Sequence, residues 1–166
     1  MDKQLPEAID MDKSLNELCK NSIDLIEYAR GITGKQINII QLMTFYSLGR
    51  WIVEEQQQGK SRAKYGQRVI KRLSEALTQR YERGFSEDSL KNVRKFYLTY
   101  KNRINETEFN LFAVEKSETV FSFFREKPPF MVSWSHYLQL MRIENEDERS
   151  FYEIESAKSG WSVRTL

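Results

Sequence analysis

The chain has 166 residues, 40% of them hydrophobic and 13% aromatic, which is more apolar side chain than a disordered chain carries. A single cysteine, Cys19, excludes a disulfide framework and fits the reducing cytoplasm. The polar N-terminus has no signal-peptide pattern, and no stretch approaches the roughly 20 apolar residues that a membrane-spanning helix needs. We therefore expect a cytoplasmic chain that folds as one domain and has no membrane partner.

Positive charge is concentrated in the middle of the chain. Residues 60–103 hold thirteen Lys and Arg against four Asp and Glu, a local net charge of +9. The flanking segments carry −3 over residues 1–59 and −4 over residues 104–166, so the formal net charge of +2 hides this basic block. Such a block creates a positive surface potential, and its commonest partner is the nucleic-acid backbone. A solvated helical surface is the alternative interpretation.

The first part of the chain predicts a tail followed by long helical segments. Residues 1–13 are polar and lack periodicity, so we expect a flexible tail. Ser14 is a candidate helix N-cap, and apolar residues recur at helical spacing over residues 14–58. Gly31 and Gly34 interrupt this stripe, which leaves either one long helix with a weak spot or two helices that meet near Gly31.

A second pair of helices carries most of the basic block. Helices are predicted at residues 67–82 and 86–102, with Gly84 ending the first and Ser86 capping the second. Two helices joined by a short glycine-containing turn have the form of a helix-turn-helix. A plain helical hairpin would have the same sequence pattern, so both interpretations stay open.

The basic side chains of this pair are the candidate nucleic-acid-binding residues. They are Arg68, Lys71, Arg72, Arg80, Arg83, Lys91, Arg94 and Lys95. Glu87 and Asp88 occupy the first turn of the second helix, where they would repel phosphates. Arg80 also stands where a helix-turn-helix usually needs a small residue for close packing. We therefore expect contacts mostly with phosphates and only a weak sequence preference.

Residues 104–130 hold six of the ten phenylalanines and are the hardest stretch to assign. Partial period-two alternation predicts a small β-hairpin at residues 105–126, which would resemble the wing of a winged-helix module. An insertion whose phenylalanines cap the core or meet a partner is the alternative. Helices are predicted after it at residues 135–142 and 145–159. A further helix start at Ser162, close to the last residue, makes the sequence look cut from something longer.

The sequence shows no catalytic or metal-binding pattern. His136 and Cys19 are each the only residue of their type and lie far apart, which gives no support to a zinc site or a Cys/His pair. We expect His136 to be a hydrogen-bonded structural residue. No glycine-rich phosphate loop is present, and no Asp or Glu is followed two residues later by Lys, as in many metal-dependent nucleases. We therefore predict no catalytic residue, metal, cofactor or small-molecule substrate, and no enzyme activity for this chain alone.

Several ordered blocks nevertheless carry a family resemblance. They are GRWIVEEQQ at residues 49–57, RAKYG at 62–66, LSEALT at 73–78, RGFS at 83–86, RKFY at 94–97, WSHY at 134–137, RSFY at 149–152 and GWSVR at 160–164. Over roughly residues 20–166 the chain resembles the N-terminal domain of bacterial YhcG-type proteins, although its stretch at 104–130 is longer than usual. That family joins this domain of unknown function to a C-terminal PD-(D/E)XK nuclease domain. The resemblance implies a DNA-associated parent whose catalytic residues lie beyond Leu166, so none is carried over.

Two functions are predicted for a mainly α, multi-helix domain at residues 14–166. The first is a nucleic-acid-binding module, with DNA the favoured partner, that positions a nuclease domain. The second is an oligomerisation or partner-docking module. The apolar stripe at residues 14–58 is broader than one short helix can cover, which predicts a homo-oligomer, most simply a dimer.

Overall fold

The computed structural model describes residues 5–30, 37–59 and 63–166. Within these ranges the chain is helical and contains no strand, which confirms the predicted mainly α fold. The helices are α1 (Leu5–Arg30), α2 (Ile37–Gln58), α3 (Ala63–Tyr81), α4 (Glu87–Tyr100), α5 (Glu106–Phe109), α6 (Val120–Glu126), α7 (Trp134–Leu140) and α8 (Glu146–Ser159). A π-helical segment, Asn110–Val114, continues α5. None of the described helices is long and apolar enough to cross a membrane.

Helices α2 and α4 form the centre of the molecule and make the most extensive contact of any described pair. Gly49 allows this approach, because a Cβ there would lie 2.8 Å from Tyr97 Cβ and against the carbonyl oxygen of Val93. One hydrophobic cluster joins α2 and α4 to α1 and α3. A second, more aromatic cluster joins them to α7 and to the phenylalanine-rich stretch, with the buried Phe96 ring 4.9 Å from that of Phe130.

The helix start predicted at Ser14 was wrong. Helix α1 begins at Leu5, and Ser14 lies inside it, where its hydroxyl donates a hydrogen bond to Glu55 Oε2 at 2.7 Å. The described part of residues 14–58 lies in helices α1 and α2. The predicted weak spot at the two glycines falls within residues 31–36, which are outside the described ranges. The flexibility expected of the N-terminal tail stays a prediction.

The turn between α3 and α4 has the predicted serine cap, but Gly84 does not end α3. Helix α3 ends at Tyr81, Glu82 follows it with a left-handed φ of 65°, and Gly84, with a φ of 95°, lies later in the turn. Ser86 caps α4, because its hydroxyl accepts a hydrogen bond from the backbone N–H of Ser89 at 3.2 Å. An unpredicted contact fixes the turn to α3, in which Ser74 Oγ donates to the carbonyl oxygen of Phe85 at 2.8 Å. These contacts set the direction in which α4 leaves α3.

The β-hairpin predicted at residues 105–126 was wrong. Asn105 and Glu108 form a capping box at the start of α5, since Asn105 Oδ1 accepts the Glu108 N–H at 2.8 Å and the Glu108 carboxylate accepts the Asn105 N–H at 3.2 Å. The alternation of phenylalanines reflects helical packing, which is the core-capping alternative. The buried phenylalanines of this stretch are Phe109, Phe112, Phe124 and Phe130.

A buried ion pair fixes α8 to the rest of the fold. Glu153 is 2% exposed, and its carboxylate accepts hydrogen bonds from Arg103 Nη1 and from the Tyr137 hydroxyl, both at 2.6 Å. Burial raises the pKa of the Tyr137 phenol, and the neighbouring Glu153 carboxylate raises that pKa further. The neutral phenol is therefore the form that the fold stabilises.

The structural role of His136 and the two ends of α8 predicted from the sequence are confirmed, whereas residues 163–165, after the helix start predicted at Ser162, form a turn. His136 is a structural residue, with Nε2 2.7 Å from the Trp161 carbonyl oxygen and Nδ1 2.6 Å from Ser133 Oγ. A carbonyl only accepts, so Nε2 donates to it, and in the neutral imidazole Nδ1 then accepts from the serine hydroxyl. Asn145 caps α8, and Gly160 ends it with a φ of 62°.

Candidate nucleic-acid interface

An open cleft of about 990 Å³ lies between the N-terminal halves of α3 and α4, beside the last turns of α2. Its described lining consists of Gln56, Ala63, Lys64, Gly66, Gln67, Arg68, Ile70, Lys71, Glu87, Lys91 and Arg94. Helix α3 supplies most of these lining residues. Lys64, Arg68 and Lys71 follow one another at spacings of four and three residues, so their side chains share one face of the helix. The opposite face of α3 is buried through Val69 and Leu73.

The lining of the cleft is strongly positive. It contains five cationic side chains and one carboxylate, that of Glu87. The cations are Lys64, Arg68, Lys71, Lys91 and Arg94. Lys91 lies 3.4 Å from Asp88 in a solvent-exposed i,i+3 pair, which neutralises little of its charge. The cleft therefore presents a net positive surface to any anion that enters it.

Gln56 holds the guanidinium of Arg94 at the edge of the cleft. Its side-chain oxygen accepts a hydrogen bond from Arg94 Nε at 2.6 Å, and its side-chain nitrogen donates to the Gly66 carbonyl oxygen at 2.9 Å. The amide of α2 thus links the backbone of α3 to a side chain of α4. Of the three guanidinium nitrogens of Arg94, only Nε has a hydrogen-bond partner among the described residues. The N–H groups of its two Nη atoms are therefore available to a ligand.

Two carboxylates of helix α1 pair with arginines of α3. Arg68 pairs with Asp12, and Arg80 Nη2 lies 3.1 Å from Glu27 Oε1. The pKa of Glu27 is lowered, first because the Tyr81 hydroxyl donates to its carboxylate at 3.0 Å and further because Arg80 does so. Arg80 therefore faces α1, whereas Arg68 lines the cleft and is also paired with α1 through Asp12.

The structure brings together four of the eight predicted binding residues in the cleft, and they are Arg68, Lys71, Lys91 and Arg94. Arg72 and Arg80 instead turn toward α1, where Arg72 Nη2 lies 3.4 Å from Asn16 Oδ1. Arg83 and Lys95 are exposed but do not line the cleft. The cleft therefore contains half of the predicted set.

Sequence reasoning missed two kinds of cleft residue. Lys64 lies in the basic block at helical spacing from Arg68 and Lys71, so its position on the same face could have been read from the sequence. The role of Gln56 could not be predicted from the sequence, because it depends on the tertiary contact between α2 and α4. Among the described residues, no group of three or more His, Cys, Asp or Glu is arranged to hold a metal ion.

Comparisons with known proteins identify the family. The chain is 37% identical over 155 residues to an Escherichia coli K12 protein named "Putative nuclease YhcG". The match covers 87% of this chain and 41% of that protein, so the chain spans less than half the length of its relative. No solved structure matches the chain. The model of the DUF1016 N-terminal domain matches residues 22–166, and the chain belongs to that family.

Proposed function

We propose that this domain binds nucleic acid through phosphate contacts in the α3–α4 cleft and thereby positions a nuclease domain. The observation that carries the proposal is the set of five cations that line one open cleft with a single carboxylate, of which only Arg68 is paired with a carboxylate of α1. Lys and Arg side chains at this density bind the phosphate backbone and release its counterions. The similarity to a protein named as a nuclease supports nucleic acid as the partner.

The cleft favours phosphate contacts over reading of bases. A DNA-reading helix-turn-helix places the first turns of its second helix against base edges. In this chain the first turn of α4 carries Glu87 and Asp88, and Glu87 lines the cleft. A carboxylate there repels the phosphates on either side of the groove that the helix would have to enter. We therefore expect similar affinities for different sequences.

Titration of labelled duplex DNA at two salt concentrations tests the proposal. The cleft variant is K64A/K71A/K91A, which removes three exposed cations from the lining. Its matched control is R83A/K95A/K101A, which removes three exposed cations outside the lining. We expect the cleft variant to lose at least about tenfold in affinity at low salt and to reduce the slope of log K against log salt by about 3.

The control variant separates a localised site from general charge. Both variants change the net charge equally, so a nonspecific attraction would weaken both to the same extent. Equal losses would therefore contradict a binding site in the cleft. An unmodified protein that shows no binding at low salt would contradict the proposal altogether.

A docking function is the second candidate, and an exposed apolar patch favours it. Met131, Phe151 and Ile154 are 47%, 56% and 40% exposed. Met131 and Ile154 line one groove of about 400 Å³ beside α8. Sedimentation of the protein and of an F151D/I154D variant tests this alternative, because docking between copies predicts a larger mass that the variant loses. A monomeric mass for both would exclude self-association through this patch.

A further inference from the structure

We infer that the cleft selects double-stranded over single-stranded DNA. This inference rests on the proposed function and specifies the substrate class of the same site. It follows from two properties of the cleft: the kinds of side chain that line it, and the way its affinity depends on the charge density of the ligand.

The lining lacks the side chains that hold unpaired bases. Proteins that bind single strands combine a positive groove with exposed aromatic rings, on which successive bases stack at about 1–3 kcal/mol per base. None of the described residues that line the cleft is aromatic. The neighbouring Tyr65 is 5% exposed, and its hydroxyl donates to Glu55 Oε1 at 2.6 Å, so its ring belongs to the core.

Exposed aromatic rings occur on other parts of the molecule. Among the described residues, the aromatic side chains with large exposed fractions are Phe123 of α6, at 47%, and Phe151 of α8, at 56%. Neither lines the cleft. A single strand bound there would leave its bases without a stacking partner and would be held through its phosphates alone.

A site that works through charge alone favours the ligand with the higher charge density. Duplex DNA carries one negative charge per about 1.7 Å of axis, about twice the density along one strand of that duplex. Each neutralised phosphate contributes about 0.9 to the salt slope on a duplex and about 0.7 on a single strand. The five cations of the cleft therefore gain more from a duplex than from a single strand of the same length.

The experiment compares the unmodified protein with two labelled probes of the same sequence and length, one duplex and one single-stranded. Both are titrated in the same low-salt buffer, and the sequence is chosen so that the single strand does not fold on itself. We expect a dissociation constant about tenfold lower for the duplex. The K64A/K71A/K91A variant should lose most of this preference, because it loses the charges that create it.

The outcomes distinguish the inference from the proposed function. Equal or tighter binding of the single strand overturns the inference and leaves nucleic-acid binding in place. Absence of binding to both probes at low salt overturns the proposed function, and the inference fails with it. A duplex preference that the cleft variant keeps in full also overturns the inference, since the preference then arises elsewhere on the protein.

Discussion

Gln56 is the residue whose role depends most on the tertiary structure. It connects the α3 backbone to Arg94 through two hydrogen bonds, although it carries no charge itself. An arginine that is already held in place loses less side-chain entropy when it binds a phosphate. Gln56 is therefore expected to contribute to affinity only by positioning Arg94.

This role gives a prediction that separates positioning from charge. Q56A should weaken DNA binding by about threefold and leave the salt slope unchanged, because the number of cations is the same. R94A should weaken binding more and reduce the slope by about 1. Titrations at several salt concentrations measure both quantities. A reduced slope for Q56A would show that the glutamine does more than hold the arginine.

Removal of the Glu87 charge is expected to strengthen DNA binding, whereas the preceding variants weaken it. Its carboxylate is the only one that the described lining contributes to the cleft, and it opposes bound phosphates. E87Q should therefore raise the affinity for DNA by about two- to fivefold at low salt, and the gain should shrink as salt screens the charge. The control is E115Q, which removes an exposed carboxylate outside the lining. An equal gain in both variants would attribute the effect to net charge.

At the level of elements, the contact between α2 and α4 depends on a glycine. G49A would place a methyl group against the Val93 carbonyl oxygen and 2.8 Å from Tyr97 Cβ, so the helices would have to separate. We expect it to lower the free energy of unfolding by about 1–3 kcal/mol or more, measured by urea denaturation.

The matched control for this prediction is G66A, in the first turn of α3. The nearest atom to a Cβ at Gly66 is Gln56 Nε2 at 3.4 Å, at the end of a flexible side chain. Alanine also has the higher helix propensity, so G66A should be neutral or stabilising by up to about 1 kcal/mol. Similar decreases in the free energy of unfolding for G49A and G66A would argue against a special role for the α2–α4 contact.

The helix ends could be predicted because capping is local chemistry. Ser86 and Asn145 cap helices through hydrogen bonds to the residue three positions later, and Gly160 ends α8 through a positive φ angle. Asn105 and Glu108 carry the same kind of capping signal in the sequence. It was not used in assigning residues 105–126, which led to the wrong β-hairpin prediction. Alternation over six or seven residues is too short to outweigh a capping box.

The candidate interface was only partly predictable for a related reason. The types of residue and their helical spacing show which side chains share a face of α3 or α4. They do not show that Asn16 and Glu27 of α1 engage Arg72 and Arg80, because that depends on how two helices distant in sequence pack. The sequence therefore indicated the basic block, but not which of its side chains line the cleft and which of them contact α1.

For the whole molecule, the buried tyrosines predict a loss of stability at alkaline pH. Tyr46 is 1% exposed, and burial raises its pKa to about 12; burial also raises the pKa of Tyr100 to about 12. The fold favours the neutral phenols, so their contribution is complete below about pH 10 and is lost as the pH rises toward 12. Urea denaturation at about pH 9 and pH 11 measures the fall in the free energy of unfolding.

A tyrosine variant identifies the source of this fall. Y46F removes the titrating group and the hydrogen bond to the Lys101 carbonyl oxygen but keeps the ring in the core. Its stability should be lower at neutral pH by about 1 kcal/mol, and it should decline less steeply between the two pH values. A decline as steep as that of the unmodified protein would place the alkaline sensitivity in other groups.

Assembly stays a prediction at this scale. Much of the apolar stripe that suggested a dimer is buried within the chain itself, including Leu18, Leu25, Ile40, Leu48 and Ile52. These side chains already have intramolecular partners, so the stripe no longer requires a second copy to cover it. An oligomer would have to use another surface, such as the patch around Phe151.

The pairing of α3 arginines with carboxylates of α1 also has a kinetic consequence. Because Glu27 counters Arg80 on the side of α3 that faces α1, while Lys64, Lys71 and Arg94 line the cleft without a salt-bridge partner among the described residues, the field is strongest at the cleft. A polyanion within a Debye length, about 10 Å at 0.1 M salt, exerts a torque that turns the cleft toward it before contact. Collisions should therefore begin in one preferred orientation, and the association rate should fall with salt more steeply than the dissociation rate rises.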